Sequence, residues 1–562
     1  AAAGAVGTND LVLTAASVES AIHPQAVGWW VLAALAGLAG LAVVAQALSR
    51  QSSVEAEQYH TLAAVGMSAD DLVALGLARA LAVGIAGALG AVLLAYLLSP
   101  IAPVGEARVA EPSTGLAFDP LVLGLGAFAI VVAVVVLAAW PIYRTSRLMR
   151  RDSGGSGRPS SVVAHLAAAG APASMVIGVR RALDRGRGRE SVPVGSALGG
   201  AMLAVAALCG TAVFGASLTH LVATPPLYGQ DFGLWLNGFQ TSDQATAAEA
   251  QLQADKAVRA VTLGLQTPVV IDGVAAHSIA GKSLKGPILV SPASGRLPRQ
   301  AGEVALGSGT LRQIHARIGA LVRMTFPLQS GGSRTIEARV TGTASFPPDF
   351  GVVGLGTGAY MTYDGLVAAQ CSTGPASAAC AASATQNPVL LTAMVRGAAG
   401  GAAIARYDKH YAGLSYVAEK PDNLVNFGQA VNFPLILGAV LMVFGLATLL
   451  HVLVVSVARR RRELGLLKAV GLVRHQIIAA VCWQATTVAV AGLVVGLPLG
   501  IVAGRAVWHA FAVNLGVVPQ SIVDVSTLVA LSAGVLVIAN LLAVGPALVS
   551  VRTPANSLLK TE

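Results

Sequence analysis

Residues 459–471 read Arg459-Arg460-Arg461-Arg462-Glu463-Leu464-Gly465-Leu466-Leu467-Lys468-Ala469-Val470-Gly471. The chain carries Leu62-Ala63-Ala64-Val65-Gly66 in register with Leu467-Lys468-Ala469-Val470-Gly471, at an offset of 405 positions. At the same offset Gly87 meets Gly492, Pro141 meets Pro546 and Arg147 meets Arg552. No insertion or deletion is needed across about 85 residues, which take in two long apolar stretches and the loop between them. An Ala- and Val-rich chain yields an LxAVG match by chance. It does not yield agreement of register, of the order of apolar stretches and of the terminal Pro and Arg together. The chain therefore contains an internal repeat.

The repeated stretches are long and uncharged. Of 562 residues, 55% are hydrophobic and 11% charged, against about a quarter charged in soluble domains. Apolar runs of 18 residues or more read as membrane spans, because about 20 helical residues cross the hydrocarbon core. Spans are expected at 28–49, 72–99, 119–140, 193–218, 430–457, 476–506 and 526–550. The net charge of +10 does not point to nucleic acid, since the basic residues flank apolar segments without interleaved aromatics.

Those basic residues orient the chain. Arg50 ends the first span; Arg144, Arg147, Arg150 and Arg151 follow the third; residues 180–189 precede the fourth. Arg459 to Arg462 follow the fifth, and Arg552 and Lys560 follow the last. With alternating spans all of them fall on one side, which the positive-inside rule makes cytoplasmic. The expectation is a multi-pass protein of a bacterial plasma membrane with its C-terminus in the cytoplasm. The opposite side then receives loops 100–118 and 507–525 and the large segment 219–429. That segment is polar and turn-rich, with strand-like runs at 268–271, 322–326 and 338–343, and is long enough to bury its own core. It is read as an extracytoplasmic α+β domain.

Four cysteines are present. Cys209 and Cys482 lie within spans and read as small packing residues. Cys371 and Cys380 bracket a loop of the external domain, where a disulfide is permitted; two free thiols are the alternative. No Cys/His cluster has metal-ligand spacing. Residues 276–283, AHSIAGKS, fit a relaxed phosphate-loop pattern, but alanine holds the first glycine position and the segment lies on the external side. No HExxH or GxSxG occurs, and His315, His410 and His451 stand singly, so the chain is read as non-catalytic. Arg79 and its repeat partner Gln484 are the intramembrane polar pair, expected to face the bundle core and bridge helices, with substrate contact as the alternative. No carboxylate relay lies in the spans, which argues against a proton-driven carrier.

The organisation that follows has two modules. Residues 28–150 form a three-span first module, 151–192 a cytoplasmic linker with an amphipathic helix, and 193–218 the first span of the second module. Residues 219–429 form the external domain, and 430–562 carry the last three spans. Because the second module has a preceding span and domain, the first is expected to have had them too. About 200 residues are therefore inferred upstream, and residues 1–27 are read as the tail of a first external domain.

Segment 459–471 is basic, amphipathic and cytoplasmic, and Gly471 suits a left-handed helix end. It is either a membrane-surface anchor or a helix that docks into a partner's groove. An anchor needs neither Glu463 nor the compact Ala469-Val470-Gly471, so docking is favoured. The segment is similar to the R-x-R-E-[IL]-G-x-x-[KR]-A-[LV]-G coupling helix of FtsX/MacB-type permeases. Gly295-Arg296-Leu297-Pro298 and Gly302-Glu303-Val304-Ala305-Leu306-Gly307 resemble a stretch in the external domains of that family.

The resemblance implies the permease subunit of an ABC transporter: a polytopic α-helical membrane protein with two FtsX-like modules and an α+β extracytoplasmic domain. It implies a cytoplasmic ABC ATPase dimer that binds ATP and Mg, this chain holding no cofactor. Arg462, Glu463, Leu464, Gly465, Leu467, Lys468, Ala469, Val470 and Gly471 would contact that dimer in the second module, and Leu62, Ala64, Val65 and Gly66 in the first. The first copy departs from the pattern: Gln58, Tyr59, His60 and Ala63 replace Glu463, Leu464, Gly465 and Lys468, and Glu55 and Glu57 stand where the arginines would be. The resemblance further implies export or extraction of a lipid, lipoprotein, peptide or other amphiphile. Its alternative is a mechanical device that activates an extracytoplasmic partner such as a cell-wall hydrolase, and a lipoprotein is a further partner the family admits.

Overall fold

The computed structural model describes residues 65–101, 115–148, 161–183, 194–288, 290–328, 332–346, 355–371, 389–418 and 471–552, with isolated positions within 30–48 and 438–445. Two compact units result. One unit, which holds the sheet, takes in Ser217–Val431 and Ala506–Ile522; the other, which holds most of the long apolar helices, takes in Trp30–Ala216, Asn432–Arg505 and Val523–Glu562.

The first described helices are α1 (Ala69–Leu98) and α2 (Pro120–Leu148), followed by the short α3 (Ser161–Ala168) and α4 (Ala173–Leu183), then α5 (Val194–Ala223). α1 and α2 meet through small residues. Ala80 and Ala138 are buried with Ile142, and Gly76 lies so close to Ile142 that a Cβ there would be 2.9 Å from its Cγ2. Leu93, Leu94 and Phe128 remain largely exposed, as expected of a surface whose solvent is lipid. α1 stops at Ser99-Pro100-Ile101, which form a 3-10 turn; Pro100 has no N–H with which to continue the helix.

The α+β domain is a sheet flanked by short helices. In chain order its elements are β1 (Leu234–Leu236), α6 (Ser242–Ala254), β2 (Val258–Ile271), β3 (Val274–Lys285), β4 (Pro292–Gly295), β5 (Glu303–Leu306) and α7 (Ser308–Gln313). Then come β6 (Leu321–Pro327), β7 (Ser333–Ala344), β8 (Ala359–Thr362), α8 (Tyr363–Gln370), β9 (Val389–Met394), α9 (Ala398–His410) and β10 (Ser415–Val417). The ten described strands run β10-β1-β9-β2-β3-β8-β5-β7-β4, with β6 pairing β2 and β7. Most pairs are antiparallel, but β3–β8 and β5–β7 are parallel.

The β2–β3 hairpin turns on Asp272-Gly273, both with positive φ (44° and 90°), the backbone that two-residue hairpins favour. Segment 276–283 lies within β3, paired along β2. It is a strand rather than a loop opening a helix, so the phosphate-loop resemblance has no structural counterpart. Alternating residues of β2, β6 and β7 bury Val269, Ile271, Met324, Phe326, Ala338 and Val340 in one core. The three strand-like runs read from the sequence fall inside β2, β6 and β7.

The chain ends with α10 (Arg474–Leu515) and α11 (Val525–Arg552). Five described helices are long and apolar enough to span a membrane: Asp70–Leu98, Pro120–Ala139, Leu198–Ala223, Arg474–Leu515 and Val525–Leu548. The spans expected at 28–49 and 430–457 lie outside the described residues except for isolated helical positions such as Trp30 and Gly438. The protein is a polytopic helical membrane protein with an α+β domain.

α10 runs to Leu515, past the end at 506 that hydropathy indicates. Its 42 residues correspond to roughly 63 Å, against a hydrocarbon core of ~30 Å. It contains Pro498 but continues to Gly516, whose φ of +83° ends it.

Candidate coupling and transmission site

Of the expected coupling residues, Val65, Gly66 and Gly471 are described. Arg462 through Val470, Leu62 and Ala64 lie outside the described residues, and the helix they were read to form is likewise outside. The two glycines match closely: φ is +103° at Gly66 and +104° at Gly471. No L side chain adopts that backbone readily, so glycine is required at both repeat positions. Val65 beside the first is 81% exposed.

Each glycine is followed by a helix start built on the same plan. In the first module Ser68 caps α1: its hydroxyl accepts from the Asp71 N–H at 3.2 Å, and its own N–H donates to Asp71 Oδ2 at 2.9 Å. This is a capping box. At the equivalent positions of the second module, the Val473 N–H donates to Gln476 Oε1 at 3.2 Å. Valine has no oxygen to return the bond, so the second box is half made.

Above the second turn, α10 is gripped by small residues. Gly178 of α4 packs directly on it: a Cβ at Gly178 would lie 2.5 Å from the Ala480 carbonyl oxygen and 2.5 Å from Trp483 Cβ. Val179, Arg181 and Ala182 of α4 are also buried. Further along, Gly492, Gly496, Gly500 and Gly504 form a ladder against α5. A Cβ at Gly496 would be 2.7 Å from the Met202 carbonyl oxygen, and one at Gly500 2.5 Å from the Ala206 carbonyl oxygen. Such close approach replaces the hydrophobic driving force that helices lack in lipid. The Cys209 thiol lies in this seam, 3.6 Å from the Leu497 carbonyl oxygen. α10 also meets α11 through the Thr486 and Asn540 side chains, 3.0 Å apart.

Gln484 is buried, 4% exposed, and its backbone N faces Gly178. Its repeat partner Arg79 is exposed on α1. The pair therefore occupies equivalent positions in unequal surroundings.

The C-terminal end of α10 groups with the unit that holds the sheet, where it meets residues that sequence reasoning did not single out. Ser308 Oγ donates to the Val513 carbonyl at 2.8 Å; Arg312 donates through Nη1 to the same carbonyl at 3.0 Å and through Nη2 to that of Asn514 at 3.3 Å. Ser345 Oγ donates to the Gly516 carbonyl at 2.9 Å. Trp508 is fully buried and its indole N–H donates to the Gln520 carbonyl at 3.0 Å. The available signals in sequence were the absence of proline over 499–515 and the glycines at 307, 309, 356 and 516.

The second family-like motif, in the α+β domain, is also built. Arg296 forks onto Glu303 at 2.8 and 2.5 Å, and the Arg299 N–H adds a third bond at 2.8 Å. These donors hold the Glu303 carboxyl down at about 2. Cys371 is buried and disulfide-bonded; Cys380 lies outside the described residues. A cleft of about 470 Å³ opens beside β2, lined among others by Asn237, Gln266, Thr267, His277 and Gln370. Burial pushes the His277 imidazole below its ordinary value. Among the described residues no group of three or more His, Cys, Asp or Glu is placed to hold a metal ion.

A membrane protein built on a duplicated helical module with a large α+β domain is the class these observations define. The FtsX-like permease C-terminal domain matches the chain twice, at residues 30–149 and 435–555, the two copies of the repeat. The chain is thus a duplicated-module permease of the FtsX-like family, the kind of membrane subunit that ABC transporters use. No curated protein matches its sequence.

Proposed function

We propose that the chain couples ATP hydrolysis by a separate cytoplasmic ATPase dimer to movement of its extracytoplasmic domain, exporting or extracting a lipid, lipoprotein, peptide or other amphiphile. The observation that carries the coupling is the duplicated FtsX-like domain, with matched left-handed glycines at the same point of each copy. Segments 58–66 and 463–471 are then the two contacts for the ATPase pair, which binds the ATP and Mg. They are chemically unequal, because the first lacks the basic run, Glu463 and Lys468. In this orientation the large domain is extracytoplasmic and the C-terminus cytoplasmic. An amphiphilic cargo suits described spans that are rich in Ala, Val, Leu and Gly and hold few ionisable groups, a poor lining for a hydrophilic pore.

The test is purification of the tagged chain from its host in mild detergent, with mass spectrometry of what accompanies it. A stoichiometric phosphate-loop ATPase with bound lipid or peptide is the expected result. A stable cell-wall hydrolase and no cargo would shift the account to activation of an external partner, and no ATPase at all would refute it.

A further inference from the structure

We infer that the outer end of α10 is a force-transmitting joint, through which Ser308 and Arg312 act as positioning residues that make the external domain follow this helix. The inference rests on the coupled-permease reading and adds a linkage that chain connectivity does not reveal. The spans that flank the domain in sequence are connected to it covalently; α10 is not, yet its last turn is held by the domain's own side chains.

A helix leaves its last four carbonyls without intrahelical partners. Here those orphans are divided. The Ala512 carbonyl accepts from the N–H groups of Gly516 and Val517 at 2.9 and 3.0 Å, closing the helix locally. The next two carbonyls, of Val513 and Asn514, are taken by Ser308 and Arg312 from the start of α7 and its last turn. A guanidinium at a helix C-terminus also complements the negative end of the helix dipole.

The backbones then touch. A Cβ at Gly516 would fall 2.1 Å from Gly356 Cα, so two glycines meet with no side chain between them. Gly356 is itself fixed to α7, its carbonyl accepting from the N–H groups of Gly309 and Thr310 at 2.7 and 3.3 Å. Beyond the contact the Val518 N–H donates to the Leu227 carbonyl at 3.0 Å, and the Ile522 N–H to Ser217 Oγ at 3.0 Å. The same stretch of chain is thus tied to α7, to the β7 end at Ser345 and to the end of α5. Bonds to backbone acceptors on a helix end, reinforced by a glycine-on-glycine contact, transmit displacement along the helix axis. A mobile surface loop offers no such path.

α10 begins at Arg474, three residues after Gly471, and is one uninterrupted helix to Leu515. That helix offers a continuous path from just beyond the Gly471 turn to the carbonyls that Ser308 and Arg312 hold.

The experiment is hydrogen exchange by mass spectrometry on the full chain with its co-purified ATPase in lipid nanodiscs, comparing wild type, Arg312→Ala and Arg312→Lys, with and without ATP and Mg. Arg312 is exposed at the rim, so the variants are expected to fold. In Arg312→Ala, amides 515–518 should exchange about tenfold faster, with partial recovery in Arg312→Lys; unchanged exchange would overturn the joint. In wild type, nucleotide should alter exchange around Gly356 and Thr310. Arg312→Ala should lose that response while still hydrolysing ATP, a change that a merely structural role would not produce. Persistence of the response in Arg312→Ala would overturn the transmission role. Absence of any nucleotide response in wild type would overturn transmission together with the coupled-permease reading, and the nucleotide-free exchange at 515–518 would still decide whether the grip exists.

Discussion

α1 and α10 are the same helix of the repeat, 405 positions apart, and they end differently. α1 stops at Leu98, before Pro100 and Pro103; at the equivalent positions α10 has Arg505 and Trp508 and carries on to Leu515. Trp508 is then fully buried. Where α1 has two helix-stopping residues, α10 continues, and its C-terminal end groups with the unit that holds the sheet. The flanks differ as well. Gly492 packs on Ala201 of α5, whereas nothing among the described residues comes within 4 Å of a Cβ at Gly87. Gln484 is buried and Arg79 exposed. The duplicated module has kept its glycine turn and changed what is built beyond it.

The largest effect expected from breaking this comparison is at the joint. Gly516→Val puts a branched side chain onto the Gly356 backbone at a positive φ, and should cost ~3 kcal/mol or more, read as a large fall in the thermal midpoint of the purified full chain. A midpoint within about a degree of wild type would mean that the two backbones do not meet as described. Next is the paired substitution of Gly492 and Gly87 by leucine. Gly492→Leu overpacks the α5 seam and should destabilise by roughly 1–3 kcal/mol, while Gly87→Leu should stay within about 0.5 kcal/mol. Equal effects would show the two helices to be packed alike.

The turns at Gly471 and Gly66 sharpen the comparison in activity. Proline cannot adopt φ near +104°, so Gly471→Pro should reduce transport-coupled ATP turnover on the order of tenfold, with membrane insertion intact. Gly66→Pro should reduce it less, because the first segment lacks Glu463 and Lys468; an equal loss would make the two contacts equivalent. Smaller still is the cap. Ser68→Ala should cost about 1 kcal/mol and Val473→Ser should stabilise by a similar amount, the two moving thermal stability in opposite directions. The smallest effect concerns Glu303. Its carboxyl is held at about 2 against an ordinary 4.5, so the Arg296–Glu303 contribution is complete above the ordinary value and disappears as pH falls through the depressed one. Wild type and Glu303→Gln should therefore differ in thermal stability near neutrality and converge in strong acid.

Much of the architecture could be read from residues alone. The repeat rests on a ladder of identities at constant spacing, the spans on long uncharged runs, and strands β2, β6 and β7 on short β-branched segments that alternate faces. The left-handed turn at Gly471 was legible because only glycine tolerates that backbone. The grip on α10 was not, for a physical reason: its acceptors are the carbonyls of Val513, Asn514 and Gly516, and backbone carbonyls have no sequence signature. Its donors, Ser308, Arg312 and Ser345, are ordinary polar residues 171 to 205 positions away in the chain. Nor did periodicity distinguish Gln484 from Arg79, since burial in a bundle depends on which neighbouring helix approaches, here α4 through Gly178.

The central claim is that two unequal cytoplasmic contacts receive force from one ATPase pair. Photo-crosslinking from positions Leu464 and Tyr59, in the full chain in its host membrane, tests it most directly. The account predicts capture of a phosphate-loop ATPase from both positions, with higher yield from Leu464. Capture of no ATPase from either position would contradict it.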